Sequence, residues 1–186
     1  MQTVWKYSWV AGLLVAGCAN PITPPNVARV APGAFESSGD NDVAAINLSS
    51  WALADPSRTR NRPEDAARAV AAVDYLAGEL PYSPRWTAMS VTTKSQMLQA
   101  RGEIRALLGV APGASSQAVV SALLTAANAL HAGDRAAALQ ALSAPIFVKA
   151  PEQILAELEN LPYLPLANVA TQHASLETEP DDGPGA

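Results

Sequence analysis

The chain has one cysteine, Cys18, and two histidines, His131 and His173, in 186 residues. A single thiol excludes an intramolecular disulfide. Three such ligands, far apart and without metal-ligand spacing, give no zinc or haem site, so neither metal nor cofactor is expected. Aromatic residues make up only 5% of the chain, and alanine dominates instead. That composition suits close-packed helices with thin side chains better than a β-sandwich. Positive charge is also scarce: the formal net charge is -5. A mildly acidic protein has no electrostatic footprint for nucleic acid, and its net field does not draw it to an anionic lipid surface. No Gly-x-Ser-x-Gly elbow, phosphate-cradling glycine loop or His-Glu-x-x-His run occurs. No enzyme is expected and no catalytic residue is nominated. The longest apolar run is short as well. The uncharged stretch from Tyr7 to Ala19 spans about thirteen residues, against ~20 for a spanning helix.

What is present begins with that stretch. The amino terminus and Lys6 supply a weak positive end, and residues 9–16 supply an apolar segment. Small residues at Ala16 and Gly17 then open the backbone to a peptidase. Residues 1–17 read as an export signal, cleaved between Gly17 and Cys18. Val15-Ala16-Gly17-Cys18 resembles the lipobox of bacterial lipoprotein precursors. The resemblance implies a diacylglycerol on the Cys18 thiol and a membrane held through that N-terminal lipid. Acylation would also remove a lone exposed thiol from an oxidising compartment. Each buried methylene contributes ~0.8 kcal/mol, and stable anchoring takes more than one chain, as the resembled class provides. Ala19, not Asp, follows the cysteine, which by the Gram-negative sorting pattern implies the outer membrane with the domain in the periplasm.

Residues 18–42 read as a flexible tether, because Pro21, Pro24, Pro25 and Pro32 block helix formation and glycines and serines add freedom. A domain is expected over 43–176 and a disordered acidic tail over 177–186. Residues 43–54 have a period ambiguous between helix and extended arm, with Trp51 expected against the domain. Apolar stripes at three-and-four spacing then predict helices from Pro63 to a stop at Pro81, to Gly109, from Ser115 or Ser116, from Asp134, from Pro151, and over 166–175. Residues 146–148 read as a short apolar connector. No strand pairs appear, so the fold class is all-α, an irregular bundle of five to six short helices behind a disordered N-terminal tether.

Beyond Cys18 the features that bear on function are few. Leu80-Pro81-Tyr82-Ser83-Pro84 and Leu161-Pro162-Tyr163-Leu164-Pro165 repeat one corner. Prolines fix the backbone, so Tyr82 and Tyr163, with Trp86 beside the first, are candidate contacts for a partner or ligand. The plainer alternative is a pair of helix corners whose tyrosines keep their hydroxyls wet. Residues 130–139 resemble the inter-helix turn of a tetratricopeptide repeat over about 25 residues, but no period of about 34 residues recurs. Arg58, Arg60 and Arg62 alternate and would share a face in extended backbone, either toward lipid phosphates or as a solvated loop with Arg62 pairing a first-turn acid. Asp74, Glu79, Glu103, Glu157 and Glu159 are expected as solvated charges, and His131 as a helix C-terminal cap. The functional expectation is a membrane-anchored envelope lipoprotein acting as a structural or protein-interaction accessory, its partner another envelope protein. The alternative is a small-ligand or glycan-binding lipoprotein.

Overall fold

The computed structural model describes residues 26–35 and 39–178. The signal segment with Gly17, the lipobox cysteine Cys18 and the chain beyond Thr178 lie outside the described residues. Alanine decides the architecture. The helix α2 (Pro63–Tyr82) carries six alanines between Ala66 and Ala77, and every residue from 66 to 78 except Arg68 is buried. Side chains this short let neighbours approach from all sides, so α2 becomes the central rod. Around it pack α1 (Asn41–Ala52), α3 (Val91–Leu108), α4 (Ser116–His131) and α6 (Pro151–Glu159). The short α5 (Arg135–Leu142) folds back on α4 and touches α6, while α7 (Pro165–Thr178) lies against α3 and α1. Among the described residues there are seven α-helices and no strand, only one antiparallel bridge between Val110 and Phe147. The molecule is an all-α bundle.

The helix ends are closed by local chemistry. Ser90, Ser115 and Asp134 accept from backbone N–H groups in the first turns of α3, α4 and α5, at 3.1, 3.2 and 2.9 Å. Gly109 ends α3 in the left-handed region at φ 67°, where a Cβ would strike Lys149. Pro63 opens α2 with Glu64 and Asp65 in its first turn. The 130–139 stretch forms the α4–α5 hairpin as a single unit.

Several expectations need correction. The tether expected over 18–42 is not loose from Asn26 onward: Ala28 and Phe35 are buried, and the Phe35 ring sits 5.3 Å from that of Tyr75. Its prolines exclude helix but do not exclude packing. The ambiguous stretch is helical and begins at Asn41, with Asp40 as its N-cap. Pro81 does not stop α2; the helix runs to Tyr82, and Ser83 N–H still donates to the Glu79 carbonyl. The disordered tail expected over 177–186 does not start at its first residue: Glu177 lies within α7 and accepts from Ser90 N–H (2.7 Å), Ser90 Oγ (2.9 Å) and Thr93 Oγ1 (2.5 Å). Asp74 is no solvated charge. It is fully buried and held by the Arg105 fork at 2.6 and 2.8 Å.

The bundle has two distinct ends, about 30 Å apart along the 20 residues of α2. The entry end holds the C-terminus of α2, the N-termini of α1 and α3, and the last turn of α7. There Arg85 forks onto Asp40, and Glu177 caps α3. The far end gathers the loop 53–62, the end of α6 and the start of α7, joined by Asn61 N–H to the Glu159 carbonyl at 2.8 Å.

Candidate interaction surface

The far end carries the most accessible aromatic cluster. Trp51, expected against the core, is 46% exposed. Two cations lie over its ring: the guanidinium of Arg58 is 5.4 Å and that of Arg62 5.9 Å from the ring centroid. Arg58 Nη1 also donates to the Trp51 carbonyl at 2.7 Å, and Arg62 pairs with Asp65. The 3₁₀ turn at Pro56–Arg58 breaks the extended backbone that would have aligned the three arginines. Two of them serve Trp51 and the third, Arg60, is exposed.

Tyr163 lies at the same end of the bundle, in the loop before α7, and is 54% exposed. Its hydroxyl faces Asn168 Oδ1 at 3.4 Å, and Asn168 Nδ2 donates to the Leu53 carbonyl at 3.1 Å. Asn168 therefore ties the Tyr163 loop to the end of α1. Gln172 Nε2 adds a second tie, to the Ser50 carbonyl at 2.7 Å. Leu166 and Val169 continue the exposed apolar surface along α7. Tryptophan, tyrosine and arginine on a rigid support are the residue types that dominate protein interfaces.

No family model matches the chain, and comparison with curated proteins and with solved structures gives no match.

The two tyrosine corners do not converge. Tyr82 ends α2 while Tyr163 lies beyond its start, so the rod separates them. The repeated five residues also fold differently, the first in continuing helix and the second in loop. Trp86 offers no contact surface, being 9% exposed. Its Nε1–H donates to Asp42 Oδ2 at 2.9 Å, and Arg85 covers its face at 4.8 Å. Asp42 also accepts from the Tyr75 hydroxyl at 2.5 Å. Burial, then this bond to a carboxylate, pushes the Tyr75 phenol well above its ordinary pKa. Trp86, Tyr75 and Asp42 form a satisfied buried polar cluster that pins α1 to α2. Sequence spacing could not reveal it, because Asp42 lies more than thirty residues from both Tyr75 and Trp86.

Other titratable groups have structural partners. Glu157 meets Lys149 at 3.2 Å, Glu159 meets Arg135 at 2.7 Å, and Glu103 accepts the Ala167 N–H at 2.9 Å. His173 Nδ1 lies 2.7 Å from Gln96 Oε1. Among the described residues no group of three or more His, Cys, Asp and Glu could hold a metal ion. Nor is any described helix long and apolar enough to cross a membrane. A cleft of about 290 Å³ lies between residues 29–34 and α4, lined by Val30, Ala34, Val120 and Leu124, with Arg29, Ser121 and Thr125 at its polar positions. Neither Tyr82 nor Tyr163 lines it.

Proposed function

We propose that this chain is an exported, lipid-anchored envelope protein whose helical body works as a structural or protein-contact accessory. The observation that carries the reading is the apolar run ending in Val15-Ala16-Gly17-Cys18, with the only cysteine of the chain at the position the lipobox pattern requires. The Gram-negative pattern at Ala19 favours the outer membrane, with the body in the periplasm. The far-end cluster of Trp51, Arg58, Arg62 and Tyr163 supports the contact role. It is a rigid aromatic and cationic surface kept by its own hydrogen bonds, the type of patch that contributes most per residue when a partner covers it.

Two measurements test this in sequence. Metabolic labelling with a fatty-acid probe should mark the wild-type chain and not Cys18→Ala; label retained after the substitution refutes the anchor. Photo-crosslinking residues placed at 51 and 163 should give a discrete adduct in native membranes, while one at exposed position 140 on α5 gives none. Equal or absent crosslinking from all three positions refutes the contact surface. The cleft beside α4 favours a second reading, a small amphiphilic ligand with its apolar part against Val120 and Leu124. Isothermal titration with ligands of that class, against Leu124→Trp, would decide it.

A further inference from the structure

The entry end carries a second accessible patch, built differently from the first. The Asp74–Arg105 pair sets the register between antiparallel α2 and α3. Counting on along α2 and back along α3 brings Tyr82 level with Met97, one residue from Leu98. Tyr82 is 57% and Leu98 39% exposed, and Val91, on the same stripe of α3, is 82% exposed. Lys94 stands between Val91 and Leu98 on that stripe. Val27 adds another exposed apolar side chain beside the last turns of α2, where Gly78 lets the backbone come close. Arg101 sits among them, its guanidinium half-buried and directed at the Asn26 carbonyl and Ser116 Oγ, both at 3.4 Å. Burial is the main cause that lowers the pKa of Arg101 from its ordinary value.

This patch surrounds Asn26, the first described residue. Asn26 is fixed there: its Oδ1 accepts from Ser116 N–H at 2.7 Å, and its carbonyl lies against Gly78. Cys18 precedes it by only eight residues, which can span at most about 30 Å however they fold. The Trp51 and Tyr163 surface is removed from this point by most of the length of α2.

We propose that the face formed by Val27, Tyr82, Val91 and Leu98, with Lys94 and Arg101 at its polar positions, rests in the headgroup interface of the bilayer that carries the lipid anchor. The inference builds on lipid attachment at Cys18. Its chemistry is that of an interfacial surface. A tyrosine places its ring among acyl carbons and its hydroxyl among headgroups, while a lysine lays its apolar stem along the apolar surface and sends its charge to phosphate; Arg101, bonded to Asn26 and Ser116, adds positive charge behind them. The patch is small and the protein is acidic, so free in solution it would stay off the membrane. The anchor changes that by holding the patch at high effective concentration beside the lipid. Docking at the entry end leaves the Trp51 end pointing away from the membrane, toward a partner.

The two exposed tyrosines make the test internal. Full-length mature acylated protein is placed in vesicles of phosphatidylethanolamine and phosphatidylglycerol, and tyrosine nitration is read residue by residue by mass spectrometry. The reference is the same mature chain carrying Cys18→Ser, free in solution. Tyr82 should be nitrated several-fold less on vesicles, Tyr163 equally in both, and buried Tyr75 little in either. Acetylation of Lys94 should fall on vesicles and recover in a Tyr82→Ser, Leu98→Ser variant that remains acylated. Equal nitration of Tyr82 in both states overturns the proposal. So does protection seen only in native membranes, which would assign the face to a protein. The mass of the N-terminal peptide separates the two readings: a chain without acyl groups at Cys18 removes the anchor and this inference together.

Discussion

Asp74 and Arg105 show how one buried charge pair can be tolerated in an alanine core. Both partners are hydrogen-bonded: the Arg105 fork takes both Asp74 oxygens, and the guanidinium also donates to the Ala114 carbonyl at 2.8 Å and Ser116 Oγ at 3.0 Å. Removing one partner leaves the other unpaired, at a cost of about 3–5 kcal/mol. The cost is unequal here. Arg105→Ala strands a carboxylate with no solvent access, whereas Asp74→Ala leaves an arginine that is partly exposed and keeps two acceptors. Urea unfolding should therefore show Arg105→Ala as the more damaging change. In an ordinary helix Gly→Ala gains about 1 kcal/mol. At Gly78 the added Cβ would stand 2.6 Å from the Asn26 carbonyl oxygen and 2.9 Å from Val27 Cα, backbone atoms that cannot swing aside. Overpacking of this kind costs about 1–3 kcal/mol, so it outweighs the propensity gain. Gly78→Ala should lower stability and expose residues 26–35 to limited proteolysis; a net gain in stability would show that the close approach is unimportant.

Among the elements, those with an apolar stripe at helical spacing were legible before any coordinates, and α2, α3 and α4 are the clearest. The first helix was not, because its buried face includes Ser49 and Ser50 beside Ala44, Ala45 and Ile46. A buried serine in a helix satisfies itself by donating back to its own helix, as Ser49 Oγ does to the Ala45 carbonyl at 2.7 Å, and so disguises the period. The segment 26–35 was missed for a related reason. Loop residues bury single side chains such as Phe35 without any repeat to read. Asp74 did leave a trace, as the one acid inside an otherwise apolar stretch of α2. Of the candidate surface, Tyr163 is readable from its proline corner, but its place near the end of α1 depends on Asn168 reaching the Leu53 carbonyl over a hundred residues away. Burial alone would lift the Glu177 pKa, but hydrogen bonds from Thr93 and Ser90 outweigh it and hold the carboxyl below its ordinary value. A lowered carboxyl pKa contributes stability above the unfolded value and loses it as pH falls through the folded one, here below about pH 4. Hydrogen exchange should show the last turn of α7 loosening in that acid window and not near neutrality, and Glu177→Gln should remove most of the difference.

At the scale of the molecule, the central position of α2 predicts a hierarchy of opening. Its amides from 66 to 78 lie under neighbours on every side, so they should exchange only through global unfolding. Those of short α5, which packs on one flank, should exchange through smaller openings. Native-state hydrogen exchange that found α2 faster than α5 would contradict the packing described. The same rod keeps the two accessible surfaces apart, so a substitution at one end is expected to leave the other unchanged. The docking of Asn26 also determines how the protein responds to tension. A pull on the chain ahead of Asn26 does not unravel a loose end, because that residue is gripped at once by the last turns of α2, by Arg101 of α3 and by the first turn of α4. The load divides among three helices, and the body yields as a unit or stays whole.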